Sequence, residues 1–401
     1  MKIEQVHTLL NSVLKETLGQ EAIQVEDLQN VVELGKAYED IINSDAYDKY
    51  CGKLINRIGR TIFVDRVYEG QAPSVLMEGW EYGSIMQKIQ GDLPDSTENP
   101  SWNLKDGQSY DPNVFHAPKV SAKFFNAMDT YQIAMSFTRL QVKQSFTNAT
   151  QLNAFFSMIE NRIKMRKTID YDNLIMRTIN NFTAATLYHS FNSKDEAVYA
   201  AGSKVKAINL LYLYKLANPE TTITVETCLY DLGFLKFATK LMGQTSDRLA
   251  KASTLFNISG KTRFTPKDRQ HFVLLSDFEK AAASYLQADT FHDEFVKLPK
   301  HETVVYWQGS GMDYSFGSTS DIDVNIKDVF NAQPVAGGIE VHTAGILGVM
   351  FDHDALGVCN KDDRVTSNYN PLAEFTNFWY KSDAEYFNDY DENFVVFFVA
   401  E

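Results

Sequence analysis

Residues 148–183 read NATQLNAFFSMIENRIKMRKTIDYDNLIMRTINNFT, and this stretch decides the fold. Between Pro118 and Gly202 the chain has neither proline nor glycine, so nothing in its covalent chemistry interrupts a regular backbone there. Asn148 is placed to cap a first turn, with Gln151 reaching back as its partner. Apolar residues then recur at helical spacing: Leu152, Phe155, Phe156, Ile159 and Ile163, then Tyr171, Leu174, Ile175, Ile179 and Phe182. Ile163 and Leu174 lie about three turns apart, which returns the second half of the stripe to the same face. The spacing predicts one helix from Asn148 to Thr183, roughly 50 Å long at about 1.5 Å per residue. Its middle carries Arg162, Lys164, Arg166 and Lys167, followed by Asp170 and Asp172, which reads as a solvated face or, alternatively, as a positively charged surface placed against something anionic.

The chain has 401 residues, of which 44% are hydrophobic and 13% aromatic, enough for a sizeable core in two or three domains. No apolar run is long enough for a membrane span, and Glu4, Lys15 and Glu16 interrupt the N-terminal apolar pattern, so a soluble protein without a secretory signal is expected. The three cysteines, Cys51, Cys228 and Cys359, stand singly, which argues against a disulfide framework or a structural zinc site. A formal net charge of −14 argues against a dedicated nucleic-acid reader. The carboxylates Asp383, Glu385, Asp389, Asp391, Glu392 and Glu401 gather at the end of the sequence with no Lys or Arg among them.

Taken in order, residues 1–50 form an arm. Ile3, Val6, Leu10, Val13 and Leu14 give it an amphipathic helical face that needs a partner. RTIFVDRV and SIMQKI have strand character, and GDLPDSTENPSWNLKDGQSYDPN, residues 91–113, has the makeup of an exposed tip. Alternation from Val120 to Phe146 predicts a long strand returning from that tip. Together these make a projecting β-hairpin that is marginal alone in water. Beyond the long helix, TCLYDLGFLKFATKLMG reads as a helix and HFVLLSDFEKAAASYL as a buried strand running into a helix. Glu302–Trp307, Phe375–Tyr380 and Phe394–Val399 read as further strands.

No catalytic constellation is present. Gly309, Gly311 and Gly317 lack the spacing of a phosphate loop. In FDHDAL, Asp352 and Asp354 can share one face of a strand while His353 cannot, and Asp321 and Asp323 repeat that geometry. The eight histidines never stand at the i, i+4 spacing of a helical zinc site.

The order of these elements resembles the major capsid protein of tailed bacteriophages, with the Hong Kong ninety-seven type of shell fold, and more closely the version in small short-tailed phages of the phi twenty-nine type. LINRIGRTIFVDRV, DPNVFHAPKVSAKFFNAM, the helix stretch above, GVMFDHDALGV and NFVVFFVA carry the resemblance. It implies an α+β tailed-phage major capsid fold, with an N-terminal arm at 1–50 and an E-loop hairpin with adjoining P-domain strands at 51–147. The spine helix and P-domain fall at 148–199, an A-domain at 200–343, and C-terminal P-domain strands at 344–401.

The function implied is structural. Self-assembly into hexamers and pentamers would build an icosahedral or prolate head around packaged double-stranded DNA, assembled in the host cytoplasm. Portal, scaffolding and decoration or head-fibre proteins are the implied partners, with non-specific DNA contact, no membrane, no cofactor and no metal. Some relatives join a hairpin lysine to a P-domain asparagine; Lys88, Lys105, Lys119 and Lys123, and Asn368, Asn370 and Asn377, stand in those regions without local sequence support, so no cross-link is expected. Two other readings stay open: an encapsulin-like compartment shell, and a metal-dependent hydrolase using Asp352 and Asp354 with Asp321 or Asp323.

Overall fold

The computed structural model describes residues 71–77, 86–91, 93, 94, 96–138, 149–289, 300–308, 315–326 and 338–401. The expected arm at 1–50, LINRIGRTIFVDRV, the Asn148 cap, Cys51, Gly309 and Gly311 lie outside these residues.

Helix α1, Ala149–Phe191, has 43 residues and is roughly 65 Å long. It runs past the expected end at Thr183, because the apolar stripe there widens into a fully enclosed turn. Phe182, Ala184, Ala185 and Leu187 are all buried, and the hydroxyls of Thr183 and Thr186 donate back to the carbonyls of Ile179 and Phe182 at 2.9 Å each. The helix stops where Asn192 takes a left-handed conformation at φ 51°, a terminator that asparagine tolerates better than most residues.

The residues group into two compact units, with α1 contributing up to Leu174 to the first and from Ile175 to the second. The first unit contains a four-stranded sheet in the order β1-β11-β12-β4, where β1 is Leu76–Met77, β4 Met128–Thr138, β11 Leu356–Asn370 and β12 Phe375–Asn388. The expected short strand Phe375–Tyr380 is the opening of β12. The strand continues because its polar half finds cross-strand partners: Thr130 donates to Asp383 at 2.7 Å, and Arg364 pairs with the same carboxylate. On this sheet rests the first half of α1, with the Tyr171 and Ser382 hydroxyls 3.0 Å apart and Lys167 2.8 Å from Asp363.

In the second unit a five-stranded sheet runs β5-β13-β10-β6-β7, made of Ala207–Asn209, Phe394–Phe398, Ile346–Asp352, Gln270–Leu275 and Glu302–Val304. Every residue of β10 and β13 is buried, so they read as continuous apolar runs without alternation. Phe182 of α1 stacks on Phe394 with ring centroids 4.1 Å apart, and Phe394 stacks on Phe351 at 5.6 Å. Gly348 is required within β10, since a Cβ there would lie 2.6 Å from a Leu274 methyl and 2.9 Å from the Val273 carbonyl oxygen. The predicted strand–helix run is β6 followed directly by a helix at Ser276–Asp289, while the strand expected over Glu302–Trp307 ends at Val304. The other predicted helix, Leu232–Leu249, is capped by Asp231, whose Oδ1 accepts from the Phe234 amide at 2.6 Å.

The single strand expected over 120–146 is two strands. β3, Val120–Phe125, pairs with β2, Met86–Gly91, in the second unit, whereas β4 pairs residue by residue with β12 in the first. Between them Asn126 and Ala127 leave the ladder, although no proline or glycine marks the break. Residues 139–146 lie outside the described part.

Candidate assembly surface

The β2–β3 hairpin inverts the usual pattern of a half-buried ribbon. Lys88, Gln90, Ser121, Lys123 and Phe125 face inward, while Ile89, Val120 and Phe124 point to solvent. Lys88 and Lys123 are direct cross-strand partners, and two like charges so placed repel. The chain resolves this with the turn that follows β12. Asp389, its side chain fully buried, lies between them, one oxygen 2.7 Å from each ammonium. Glu392 adds a second contact to Lys88 at 2.8 Å, and Asp391 a second to Lys123 at 2.5 Å.

From the second unit's own loop come two more cations. Lys261 approaches Asp391 at 2.9 Å, and Arg263 donates to the Gln90 side-chain oxygen at 2.8 Å, while Gln90 donates in turn to Asp389 and Glu392. Burial works to raise the Asp389 and Asp391 carboxyls, but the surrounding lysines outweigh it, leaving Asp389 below the usual range and Asp391 at about 2. For Lys88 burial works downward, and Asp389 and Glu392 overcome it, so the ammonium is held above its ordinary value. Burial dominates at Glu392 and pushes that carboxyl up. Three carboxylates of the acidic end, Asp389, Asp391 and Glu392, are therefore an internal clamp on the root of the hairpin.

Beyond the clamp the hairpin presents apolar side chains left exposed by the described residues. Trp102 is 98% exposed, Phe115 86%, and Leu93, Leu104 and Val114 are exposed as well. Around them Asn99 and Asp111 fix local turns by accepting from the amides of Ser101 and Asn113 at 2.9 and 2.8 Å, so the tip is shaped by its own polar residues rather than by a core. The long β11–β12 hairpin ends the same way, with Leu372 95% exposed and Asn370 accepting from its amide at 3.0 Å.

The candidate catalytic carboxylates are not brought into one site. Asp352 and Asp354 form the turn between β10 and β11, where the Asp352 carboxylate accepts from the Asp354 amide at 2.9 Å and Asp354 pairs with Arg269 at 2.6 Å. His353 lies 2.9 Å from the ring of His271. Burial, helped by the neighbouring imidazole, lowers the His271 pKa. Asp321 faces His342 at 3.6 Å, and Asp323 takes part through its backbone, which exchanges hydrogen bonds with Gln308. Among the described residues no three His, Cys, Asp or Glu side chains are grouped to hold a metal ion. No helix of the described residues is long and apolar enough to cross a membrane.

Gly317 lies in a short helical turn at Phe316–Thr319, capped by Ser315. Cys228 and Cys359 are buried free thiols, and burial pushes Cys228 up to about 12. Of the basic residues on α1, Arg166 pairs with Asp170 at 2.8 Å and Lys167 with Asp363. Lys88 and Lys123 belong to the clamp, Lys105 and Lys119 are exposed, Asn377 is hydrogen-bonded to Ser136, and Asn368 is exposed on β11.

Comparison with known proteins gives the surface its context. The capsid structure of Staphylococcus phage Andhra superimposes with a TM-score of 0.51 at 10% identity, covering 84% of this chain and 86% of that one. The head fiber and inner core protein gp22 structure of bacteriophage P68 gives 0.49 at 9% identity over 83% and 86%, and the capsid of cyanophage P-SCSP1u gives 0.39 at 11% over 84% and 92%. The first of these shows a likeness of fold; the other two carry no argument. Among curated proteins none matches. The model of the family described as Phi29-like phage major capsid protein matches residues 10–398.

Proposed function

The chain belongs to the Phi29-like phage major capsid protein family and is a structural protein of the virion capsid shell, and from that premise we propose how it builds the shell. The fold is of the Hong Kong ninety-seven type, in the version used by short-tailed phages. The β2–β3 hairpin and its tip are the E-loop, α1 is the spine, residues 200–343 are the A-domain and 344–401 the closing P-domain strands. Copies join as hexamers and pentamers around packaged double-stranded DNA, assembled in the host cytoplasm with a portal and with scaffolding or decoration proteins.

One observation carries this reading: a hairpin whose polar face is clamped to its own chain while its apolar face, with Trp102 and Phe115 at the tip, is left open. An isolated ribbon of this kind is marginal in water, so its stable state is one in which a neighbouring copy covers it. Coexpression with the neighbouring genes of its genome, followed by electron microscopy and light scattering, tests the proposal. Closed polyhedral shells, or sheets and tubes of hexamers, are expected. A monodisperse monomer or dimer at every concentration, with and without candidate scaffolding partners, would overturn it.

A further inference from the structure

The tip of the hairpin carries a chemical feature that the assembly reading does not use. Lys105–Gln108 is a turn with Asp106 and Gly107 at its centre, closed by the Gln108 amide donating to the Lys105 carbonyl at 3.3 Å. Gly107 stands at φ 79°, a left-handed value that glycine adopts at the third position of a turn with no Cβ to strain. Asp106–Gly107 is the only Asp-Gly pair in the sequence, and Asn-Gly does not occur.

An aspartate followed by glycine is reactive toward its own backbone. The amide nitrogen of the following residue attacks the side-chain carboxyl carbon and closes a five-membered succinimide. The N–Cγ bond forms, the Cγ–OH bond breaks, and the hydroxyl leaves with the amide proton as water. A second water then opens the ring at either carbonyl. Cleavage of the N–Cγ bond restores aspartate, whereas cleavage of the original peptide bond leaves the chain running through the side-chain carbonyl, as isoaspartate. Water is the one co-reactant. A side chain on the following residue crowds the attack, and hydrogen bonds to the carboxylate or the amide hold the two groups apart.

At Asp106 the fold removes each of these obstacles. Both residues are exposed, and a Cβ on Gly107 would meet nothing within 4 Å, so the space around its nitrogen is open. Among the described residues neither the Asp106 carboxylate nor the Gly107 amide has a hydrogen-bond partner. One long bond closes the turn, so opening it to bring nitrogen and carboxyl together disrupts little. Other exposed acids are protected. Asp111 accepts from the Asn113 amide at 2.8 Å and precedes Pro112, which has no N–H to lose. Asp354 is held by Arg269 at 2.6 Å, and the amide of the next residue, Ala355, donates to the Asp352 carbonyl at 2.9 Å.

We propose that Asp106 is a site of spontaneous isoaspartate formation in the folded chain. Conversion inserts one methylene carbon into the backbone at the centre of the turn and removes the spacing that closes Lys105 on Gln108. The Lys105 amide also donates to the Tyr110 hydroxyl at 3.2 Å, so the shape of the tip around Trp102 changes with the age of the chain. The inference does not depend on how copies join in a shell.

Storage of the full-length protein in warm neutral buffer, followed by peptide mapping that separates isomers of equal mass, tests it. The peptide carrying Asp106 is expected to split with time into two peaks of the same mass, preceded by a form lighter by one water. The second peak is expected to be lost in Asp106→Glu, whose longer side chain would have to close a six-membered ring. It is expected to accumulate severalfold faster in Asp106→Asn, where ammonia leaves in place of water. The peptide carrying Asp354 is the internal reference and is expected to stay single. Asp106 remaining a single peak in the protein, under conditions in which a synthetic peptide of residues 102–110 converts, would overturn the proposal, because the fold would then protect the site. So would equal conversion at Asp354, which would assign the reaction to general unfolding.

Discussion

The β10–β13 pair and the β2–β3 hairpin belong to the same unit and are built from similar apolar residues, yet they use them in opposite ways. In β10 and β13 every side chain is buried, with Phe351, Phe394 and Phe182 in one stack. In the hairpin Ile89, Val120 and Phe124 face out while Lys88 and Lys123 face in, held by Asp389, Asp391 and Glu392. Hydrophobic area thus stabilises the protomer in one place and is left exposed in the other, where the proposed reading uses it for association. What distinguishes the two is which face the chain's own polar groups satisfy.

The sharpest way to break the comparison is to weaken each side by its own mechanism. Phe182→Ala removes a fully buried ring from the stack and should lower unfolding free energy by about 3–5 kcal/mol, read as a shift in the urea midpoint with unchanged slope. Asp389→Ala leaves Lys88 and Lys123 facing each other without their shared carboxylate. A broken buried pair costs about 3–5 kcal/mol, here expected as faster proteolysis at residues 86–125 while the β10–β13 core keeps its hydrogen-exchange protection. Uniform loss of protection across both regions in Asp389→Ala would show that they are not separable.

Acid should act in two steps. His271 has a folded pKa below its ordinary 6.5, so the stability tied to its neutral form is present above 6.5 and is lost as pH falls through the folded value. Asp391 is depressed from 3.8 to about 2, so its contribution is complete above 3.8 and disappears as pH falls through about 2, loosening the hairpin root. Glu392, shifted upward, acts in the opposite sense and earlier: its protonation favours the folded state as pH falls through its folded value towards the ordinary 4.5, before the second step begins. Near-ultraviolet circular dichroism with pH, compared with Asp391→Asn, checks the second step: the variant should show a smaller change below about pH 4, the remainder belonging to Asp389. The smallest expected effect is that of Phe124→Ser on the free protomer, within about 0.5 kcal/mol by urea titration, because an exposed ring has little folded-state packing to lose.

Helix α1 was legible because periodicity and the absence of proline and glycine are local signals. Its end at Asn192 was not, since burial on all sides around Phe182–Leu187 hides the stripe. The hairpin's exposed tip was legible from its polar composition, whereas the assembly reading rested on the resemblance in the order of elements. The hairpin's clamp was not legible, because Lys88 and Asp389 are 301 residues apart, although lysines at matching inward positions on both strands and an acidic run near residue 390 were each visible alone. The division of 120–146 into two strands was hidden for a related reason: Asn126 and Ala127 do not break a strand, and only the separate partners of β3 and β4 reveal it. The candidate carboxylates had strand-face geometry in sequence, but the turn after Phe351 turns Asp352 and Asp354 to local structural work.

The most direct test of the account is electron microscopy, with light scattering, of a Trp102→Ser, Phe115→Ser double variant beside the parent chain under conditions where the parent closes shells. The account predicts a variant with the parent's circular dichroism and urea midpoint that remains a free protomer or forms only small open assemblies. Closed shells of normal size and yield from that variant would contradict it.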